Sequence, residues 1–215
     1  PMLKRDYSRL DDLVGQFDQA LRTVFGPPPA SSRPNPASRC AEATLGESGR
    51  DLVGRLMRIN HTGEICAQAL YQGQALTARL PNVRDKMERA AIEENDHLAW
   101  TEQRAREMGT HTSYLNPLFY ASSFTIGALA GAAGDKWSLG FVAETERQVV
   151  RHLDEHLARL PVQDDKSRAI LMQMREDEGH HATTAIESGA AELPRPVKRL
   201  MQLVSKAMTR SVYWL

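Results

Sequence analysis

Apolar residues along this chain recur at intervals of three and four, and no segment alternates convincingly at the period of two that a half-buried strand requires. Leu10, Leu13, Val14, Phe17, Leu21, Val24 and Phe25 predict an amphipathic helix over 8–25. Ser8 and Asp11 could cap its start, and Gly26 with the prolines after it ends it. The chain is then rich in Pro, Ser and Ala as far as Gly49, so residues 1–48 read as an N-terminal helix and an irregular connector. Ser48 and Asp51 signal the start of a long helix from about Arg50 to Leu80. Pro81-Asn82 turns the chain into a second helix, about Val83 to Met108, which Gly109 stops. So short a turn makes the two antiparallel neighbours. Residues 109–117 form a loop whose His111 is an ordinary exposed histidine. A second antiparallel hairpin is expected from helices over 139–160 and 165–188, with Pro161 in the turn and Gly189 at the end. The fold class is all-α: a four-helix bundle over 49–215, with an extra helix at each end of the chain.

Two segments outside the hairpins differ from them in polarity. Residues 118–134, LFYASSFTIGALAGAAG, carry no charge. They are short and weak against the roughly 20 strongly apolar residues of a membrane span. A buried or membrane-touching helix is expected, with Gly127 and Gly131 allowing close approach to a neighbour. The last helix, 197–213, has an apolar stripe of Val197, Leu200, Leu203/Val204, Met208, Val212 and Leu215. Arg195, Lys198, Arg199, Lys206 and Arg210 form its polar side with no acid among them, and Tyr213-Trp214 close it. Such a helix can lie on an anionic membrane surface or pack on the bundle.

Carrying the apolar phase through the four bundle helices shows where polar residues interrupt the inward face. On the fourth, Ile170/Leu171, Met174, Glu178, His181 and Ala185 share a stripe. Glu178 and His181 are three residues apart, about 60° around the axis and roughly 4.5 Å along it, so both reach one point beside the helix. The second helix repeats the pattern with Met87, Ala90/Ala91, Glu94, His97/Leu98, Thr101 and Ala105. Glu93, Asp96 and Asp177 fall to the side and read as solvated. Glu64 shares a face with Met57, Asn60, Ala67 and Tyr71 on the first helix. On the third, Glu146 leads into Val149, Val150, Leu153, Leu157 and Leu160, whereas Glu144 lies among Arg147, Gln148 and Arg151, which makes Glu146 the better candidate.

Buried carboxylates need a cation. One Glu on each of two helices and Glu-x-x-His on each of the other two is the pattern of a carboxylate-bridged two-metal bundle. Four carboxylates balance two divalent ions, and oxygen with two nitrogens favours iron or manganese over a thiolate-bound metal. The Glu64–Glu94 interval of 30 residues and the Glu146–Glu178 interval of 32 suggest an internal duplication.

Composition narrows the classes without changing this picture. Lys+Arg and Asp+Glu are 27 each, so no charge excess argues for nucleic acid. Cys40 and Cys66 form no CxxC pair or disulfide framework and fit a reducing compartment. No apolar signal core follows Lys4-Arg5-Asp6, so cytoplasmic residence is the default expectation.

At Arg58-Ile59-Asn60-His61-Thr62-Gly63-Glu64, Tyr71-Gln72-Gly73-Gln74, Glu94-Asn95-Asp96-His97-Leu98 and Asp177-Glu178-Gly179-His180-His181, the chain resembles the demethoxyubiquinone hydroxylase family. This family is a membrane-associated branch of the ferritin-like di-iron proteins, and the similarity runs from about Leu52 to the C-terminus. The resemblance implies a ferritin-like bundle with two iron ions held by Glu64, Glu94, His97, Glu146, Glu178 and His181. It implies O2-dependent hydroxylation of a polyprenyl methoxy-benzoquinol ring in ubiquinone biosynthesis, with electrons from an external reductant, NADH by family precedent. His152 matches a histidine the family keeps near the centre. It lies about 120° from Glu146 around the helix, which leaves it a supporting place behind the ligands. His61 would steady the backbone before Glu64 or orient a ligand. The resemblance also implies a peripheral position on the cytoplasmic face of the inner membrane, and self-association or partners of a biosynthetic complex. A ferritin-like ferroxidase shares the ligand pattern and is the alternative. A rubrerythrin-type peroxidase would need a cysteine set that two isolated cysteines cannot supply.

Overall fold

The computed structural model describes residues 9–27 and 33–215, with backbone only at 9–13 and 16. The expected cap at Ser8 lies outside the described residues. Seven α-helices and one short 3-10 turn, Pro36–Arg39, make up the described chain: α1 (Arg9–Phe25), α2 (Glu47–Thr77), α3 (Pro81–Glu107), α4 (Asn116–Ala132), α5 (Asp135–Arg159), α6 (Asp165–Glu187) and α7 (Arg195–Trp214). There is no strand among the described residues.

The boundaries follow local chemistry, with departures from expectation at α2, which also ends at Thr77 short of Leu80, and at α5, which starts at Asp135, four residues before 139. α2 begins three residues earlier than the Ser48–Asp51 signal implied, with Gly46 at its N-cap and no side-chain cap hydrogen bond. Pro81 opens α3 at a position where its missing N–H costs nothing. Asp164 caps α6 by accepting from the Ser167 amide, and its other contact is the buried Arg104, which also reaches Ser167 and Glu42. That knot joins the ends of α3 and α6 to the connector.

Helices α2, α3, α5 and α6 form the bundle. Contacts along α2 and α3 run in opposite order, with Arg50 against Glu107 and Gln68 against Ala91 and Asn95. The same holds for α2 and α5, where Gln74 meets Ser138, Tyr71 meets Glu146 and Asn60 meets His156. α4 runs parallel to α2, from the Thr62–Asn116 bond to the Thr77–Ala128 bond, and carries the chain from one hairpin to the other. One long crossover between two antiparallel hairpins is the ferritin-like connection. The expected close approach of α4 occurs: a Cβ on Gly127 would run into the Leu70 backbone, one on Gly73 into the backbone of Phe124 and Ala128, and one on Gly131 into Thr77.

The core divides into two apolar layers above and below a polar waist. One layer is built of large side chains, Leu56, Met57, Leu153, Ile170, Leu171 and Met174, all at most 1 % exposed. The other is rich in alanine and lighter aliphatics, with Ala67, Ala75, Ala91, Leu139, Val142 and Ala185 around Tyr71 and Met87. At roughly 25 cal/mol per Å2 of apolar surface buried, these layers supply the main drive that offsets the polar waist between them.

The outer helices leave apolar surface open. On α7 only Val212 is buried, while Leu200, Leu203, Val204 and Trp214 are exposed. Leu118, Ile126 and Leu129 of α4 and Val14, Phe17, Leu21 and Phe25 of α1 are exposed as well. No described helix is long and apolar enough to cross a membrane.

Candidate metal centre

The inward phase of each bundle helix delivers one acidic residue to the waist. Glu64, Glu94, Glu146 and Glu178 are all buried, with His97 fully buried beside them and His181 nearly so. Ligand-capable atoms of Glu64, Glu94, His97 and Glu178 lie within 4.8 Å of one another, and those of Glu146, Glu178 and His181 do likewise. Nδ1 of His97 is 2.9 Å from Glu94, 3.1 Å from Glu178 and 3.5 Å from Glu64. Nδ1 of His181 is 3.2 Å from Glu178 and 3.4 Å from Glu94. The six sequence candidates therefore converge, with Glu94 and Glu178 between two histidine-headed halves. Glu144, the rejected alternative on α5, is also buried but pairs outward with Lys198, Arg151 and Gln148.

The donor set fits two metal ions. Oε1 of Glu94, Oε2 of Glu146 and Oε1 of Glu178 are buried without a well-formed hydrogen bond among the described residues, Glu178 and Glu94 having at these oxygens only the shared Nδ1 contacts of His97 and His181. Carboxylate oxygens in that condition cost free energy unless a cation takes them up. The protonation pattern agrees. Burial, reinforced by the negative neighbours Glu94 and Glu178, holds Glu64 and Glu146 well above the usual carboxylate range. Burial alone would lower both histidines, but Glu94 and its companions raise His97 well above the usual imidazole range, and Glu178 with Glu94 push His181 up to about 12. In the metal-free centre, protons on these four groups stand in for the cations.

The solvated reading holds for Glu93, which is exposed although it is engaged by a histidine, and is corrected for Asp96 and Asp177. The Nε2 atom of His97 bonds to Asp177 at 2.9 Å, and that of His181 bonds to Glu93 at 2.6 Å. Each Nδ1 faces the centre while each Nε2–H is held by a carboxylate, which fixes tautomer and ring orientation as in carboxylate–histidine–metal sites. Arg33 of the connector donates to Asp177 at 2.8 Å and to Asp96, and its guanidinium lies over Trp100. Asp96 is accordingly buried. His97 and Arg33 together hold Asp177 down to about 2 against the opposing effect of its burial.

Tyr71 is a second residue without an assigned role in the sequence. Its buried hydroxyl donates to Oε1 of Glu146, and its ring meets His181 edge-on. Burial and the surrounding carboxylates raise its pKa, so it stays a donor. His152 is set apart from the carboxylate group. Its ring lies 4.1 Å from that of His156, tilted by 57°, and the His156 Nδ1 is 2.9 Å from Oδ1 of Asn60, one turn before Glu64. That chain gives His152 an indirect link to α2. His61 is buried, and burial lowers it to about 4, so it is neutral. His111 is exposed and stacks on Tyr114.

Two openings approach the waist, both through the lighter apolar layer. A cavity of about 160 Å3 on the α3–α6 side reaches His181 and Tyr71 past Lys86, Arg89 and Glu93. A tight crevice between α2 and α5, with no room for a water molecule, runs to Tyr71 and Glu146 and shares Tyr71 and Val142 with the cavity.

Comparison with known proteins places these residues in a family context. The family model described as ubiquinone biosynthesis protein COQ7 matches residues 51–212. The 3-demethoxyubiquinol 3-hydroxylase of Nitrosococcus oceani is 61 % identical over 98 % of this chain and 99 % of its own. The protein of the same name from Stutzerimonas stutzeri is 61 % identical over 98 % of each. That from Chromohalobacter salexigens is 56 % identical over 99 % of this chain and its whole length.

Proposed function

The chain belongs to the COQ7 family of ubiquinone biosynthesis proteins, and from that premise we propose that it is a 3-demethoxyubiquinol 3-hydroxylase working through two iron ions. The observation that carries this is the convergence of Glu64, Glu94, His97, Glu146, Glu178 and His181 in one buried group with oxygens left over for cations. When bound, the iron pair supplies O2 activation, with O2 as co-substrate and electrons from an external reductant, NADH in this reading. The protein's own residues do the rest. Glu94 and Glu178, each near both histidines, would help hold the ions, and Asp177 and Glu93 hold the two imidazoles in register. Tyr71 holds a proton on its oxygen beside Glu146, and the apolar layers on either side keep water from the centre.

The substrate reading implies a lipid surface. The uncovered apolar side chains of α7, together with the exposed Arg195, Arg199, Lys206 and Arg210, suit an anionic membrane, and those of α1 and α4 extend the same kind of surface. We place the protein peripherally on the cytoplasmic face of the inner membrane. Homo-oligomers or biosynthetic partners remain compatible with the same surfaces.

The test of function is conversion of a demethoxyubiquinol to its 3-hydroxylated product by the iron-loaded protein with O2 and NADH, alongside complementation of a strain that lacks this step. Product formation is expected. Iron binding and Fe(II) oxidation with no hydroxylated product would favour a ferroxidase instead. For the membrane, flotation with anionic liposomes should carry the full chain and lose one ending near Pro194. Equal binding of the two would remove α7 from the surface.

A further inference from the structure

We propose that the quinol ring is seated in the crevice between α2 and α5, with Gln74 and Thr145 as the polar groups that receive its two oxygens. This rests on the substrate class proposed above and adds the place and the residues. The crevice is lined at its inner end by the buried Tyr71 and Glu146 and at its outer end by the half-buried Leu70 and Thr145, with Ala67 and Gln74 along its wall.

Three observations favour this side of the centre. On the α3–α6 side the cavity ends on Tyr71, Glu93 and His181, whose Nε2 is already bonded to Glu93, and none of the four buried carboxylates lines it. The crevice, by contrast, arrives at Glu146, whose Oε2 has no partner among the described residues. Second, two further buried polar atoms without a partner among the described residues belong to its lining: Oε1 of Gln74, a side chain only 1 % exposed, and Oγ1 of Thr145. A buried acceptor and a buried hydroxyl left unpaired each cost free energy until a ligand pairs with them. A benzoquinol carries two hydroxyl groups para to each other, so the Gln74 amide oxygen can accept from one and the Thr145 hydroxyl can pair with the other. Third, the crevice lies on the face that carries the apolar outer helices. The Leu70 backbone is packed against Gly127 of α4, and Glu144, next to Thr145, pairs with Lys198 at the start of α7. A polyprenyl tail leaving between α4 and α7 meets exposed Leu118, Ile126, Leu129, Leu200 and Leu203, not the Lys86 and Arg89 that stand at the other cavity.

The crevice is closed as it stands, with no room for a water molecule, so seating the ring requires Leu70 at its outer end to swing aside. Small Ala67 is the position where added bulk would block the seat without touching a metal candidate.

The experiment compares Ala67→Leu, Thr145→Val and Gln74→Leu in the crevice with Ala90→Leu in the α3–α6 cavity. Each is made in the full chain and loaded with iron. Binding of a demethoxyubiquinol analogue with a short prenyl tail, kept reduced under anaerobic conditions, is read by calorimetry, with metal content and melting temperature as checks on folding. Ala67→Leu is expected to weaken binding more than about tenfold, and Thr145→Val and Gln74→Leu each by about five- to tenfold, as for a lost buried hydrogen bond. Ala90→Leu should bind as wild type. Thr145→Val preserves shape, so it remains informative if Gln74→Leu, which also gives up two bonds to Ser138, fails to fold. Loss of binding in Ala90→Leu with the crevice variants unchanged would overturn the proposal and move the ring to the histidine side. A wild-type chain that binds no analogue and forms no product would instead fail the substrate class itself.

Discussion

The two histidines of the centre share a sequence pattern but not an environment. His97 is fully buried and its supporting acid, Asp177, is only 14 % exposed and pinned by Arg33. His181 is 11 % exposed, its supporting acid Glu93 is 55 % exposed, and a cavity opens beside it. Two hairpins with the same Glu-x-x-His pattern therefore yield one sealed half and one open half. In the sealed half a hydrogen bond to His97 acts at low dielectric and holds its geometry, whereas solvent competes for the bond at Glu93. The difference teaches that pattern symmetry in the ligands does not imply equal affinity, and it predicts that metal leaves the His181 half first.

The sharpest challenge to a two-half description is the carboxylate both halves share. Glu178 contacts both histidines, so Glu178→Ala should empty both sites. Elemental analysis should then fall from about two irons per chain to well below one, with hydroxylation lost by at least about a thousandfold. A variant that keeps one iron would mean that the halves are independent and that Glu178 serves only one.

Next in size is the contrast between the supporting acids. Asp177→Ala should weaken metal binding by about 10- to 100-fold, the range for loss of an outer carboxylate behind a ligand histidine. Glu93→Ala should cost only about two- to fivefold, because water can replace an exposed partner. Competition with a chelator measures both. Equal effects would erase the distinction between sealed and open halves.

Much of this arrangement is readable in the chain, because helical phase alone selects inward residues. Glu146 was separable from Glu144 by what its neighbours bury, and the structure sends the two in opposite directions. Phase fails one step outward. Asp177 and Glu93 lie about 100° from the adjacent ligands and look solvated on their own helices. They are engaged only because α3 and α6 pack side by side, so that the acid before Glu178 supports the histidine of α3 and the acid before Glu94 supports that of α6. An acid immediately before each Glu of the two Glu-x-x-His runs was a signal in the sequence, but its meaning depends on a tertiary neighbour. Arg33 was less legible still. It sits in a connector with no periodicity, and only the folded chain brings it 144 residues along to Asp177.

The halves should agree in their response to pH, which checks whether the comparison is about exposure and not about charge. Glu64, Glu146, His97 and His181 all have raised values in the metal-free fold. Above the ordinary histidine value of about 6.5, where the lowered His61, His152 and His156 are neutral in both states, the folded metal-free protein thus holds more protons than the unfolded chain. Its stability must fall as pH rises through that range. Metal requires the same groups deprotonated, so the loaded protein should gain stability over the same range. Between pH 6 and pH 9 the metal-free melting temperature is expected to drop by about 5 °C or more, equivalent to roughly 2 kcal/mol in a chain of this size, while the iron-loaded one rises. Parallel trends in the two forms would mean that these protons do not occupy the metal positions.

The smallest expected effect comes from the connector. Arg33 is partly exposed and pairs with Asp96 and Asp177 while covering Trp100. Arg33→Met keeps the apolar stem over Trp100 and removes the charge. Half-exposed ion pairs contribute about 0.2–1 kcal/mol each, so global stability should change little. Without the guanidinium, however, Asp177 loses one of the two groups that hold it ionised, and its carboxylate is freer to turn from His97. Metal should therefore leave the His97 half about two- to fourfold faster, the range expected for a bond weakened by under 1 kcal/mol, with release from the His181 half unchanged. Stopped-flow release of a spectroscopically visible ion such as Co(II) to a chelator would resolve the two phases. If Arg33→Met accelerates the phase that Glu93→Ala also accelerates, the sealed half is not sealed by the connector, and burial by Trp100 and Asp177 alone must account for its slower exchange.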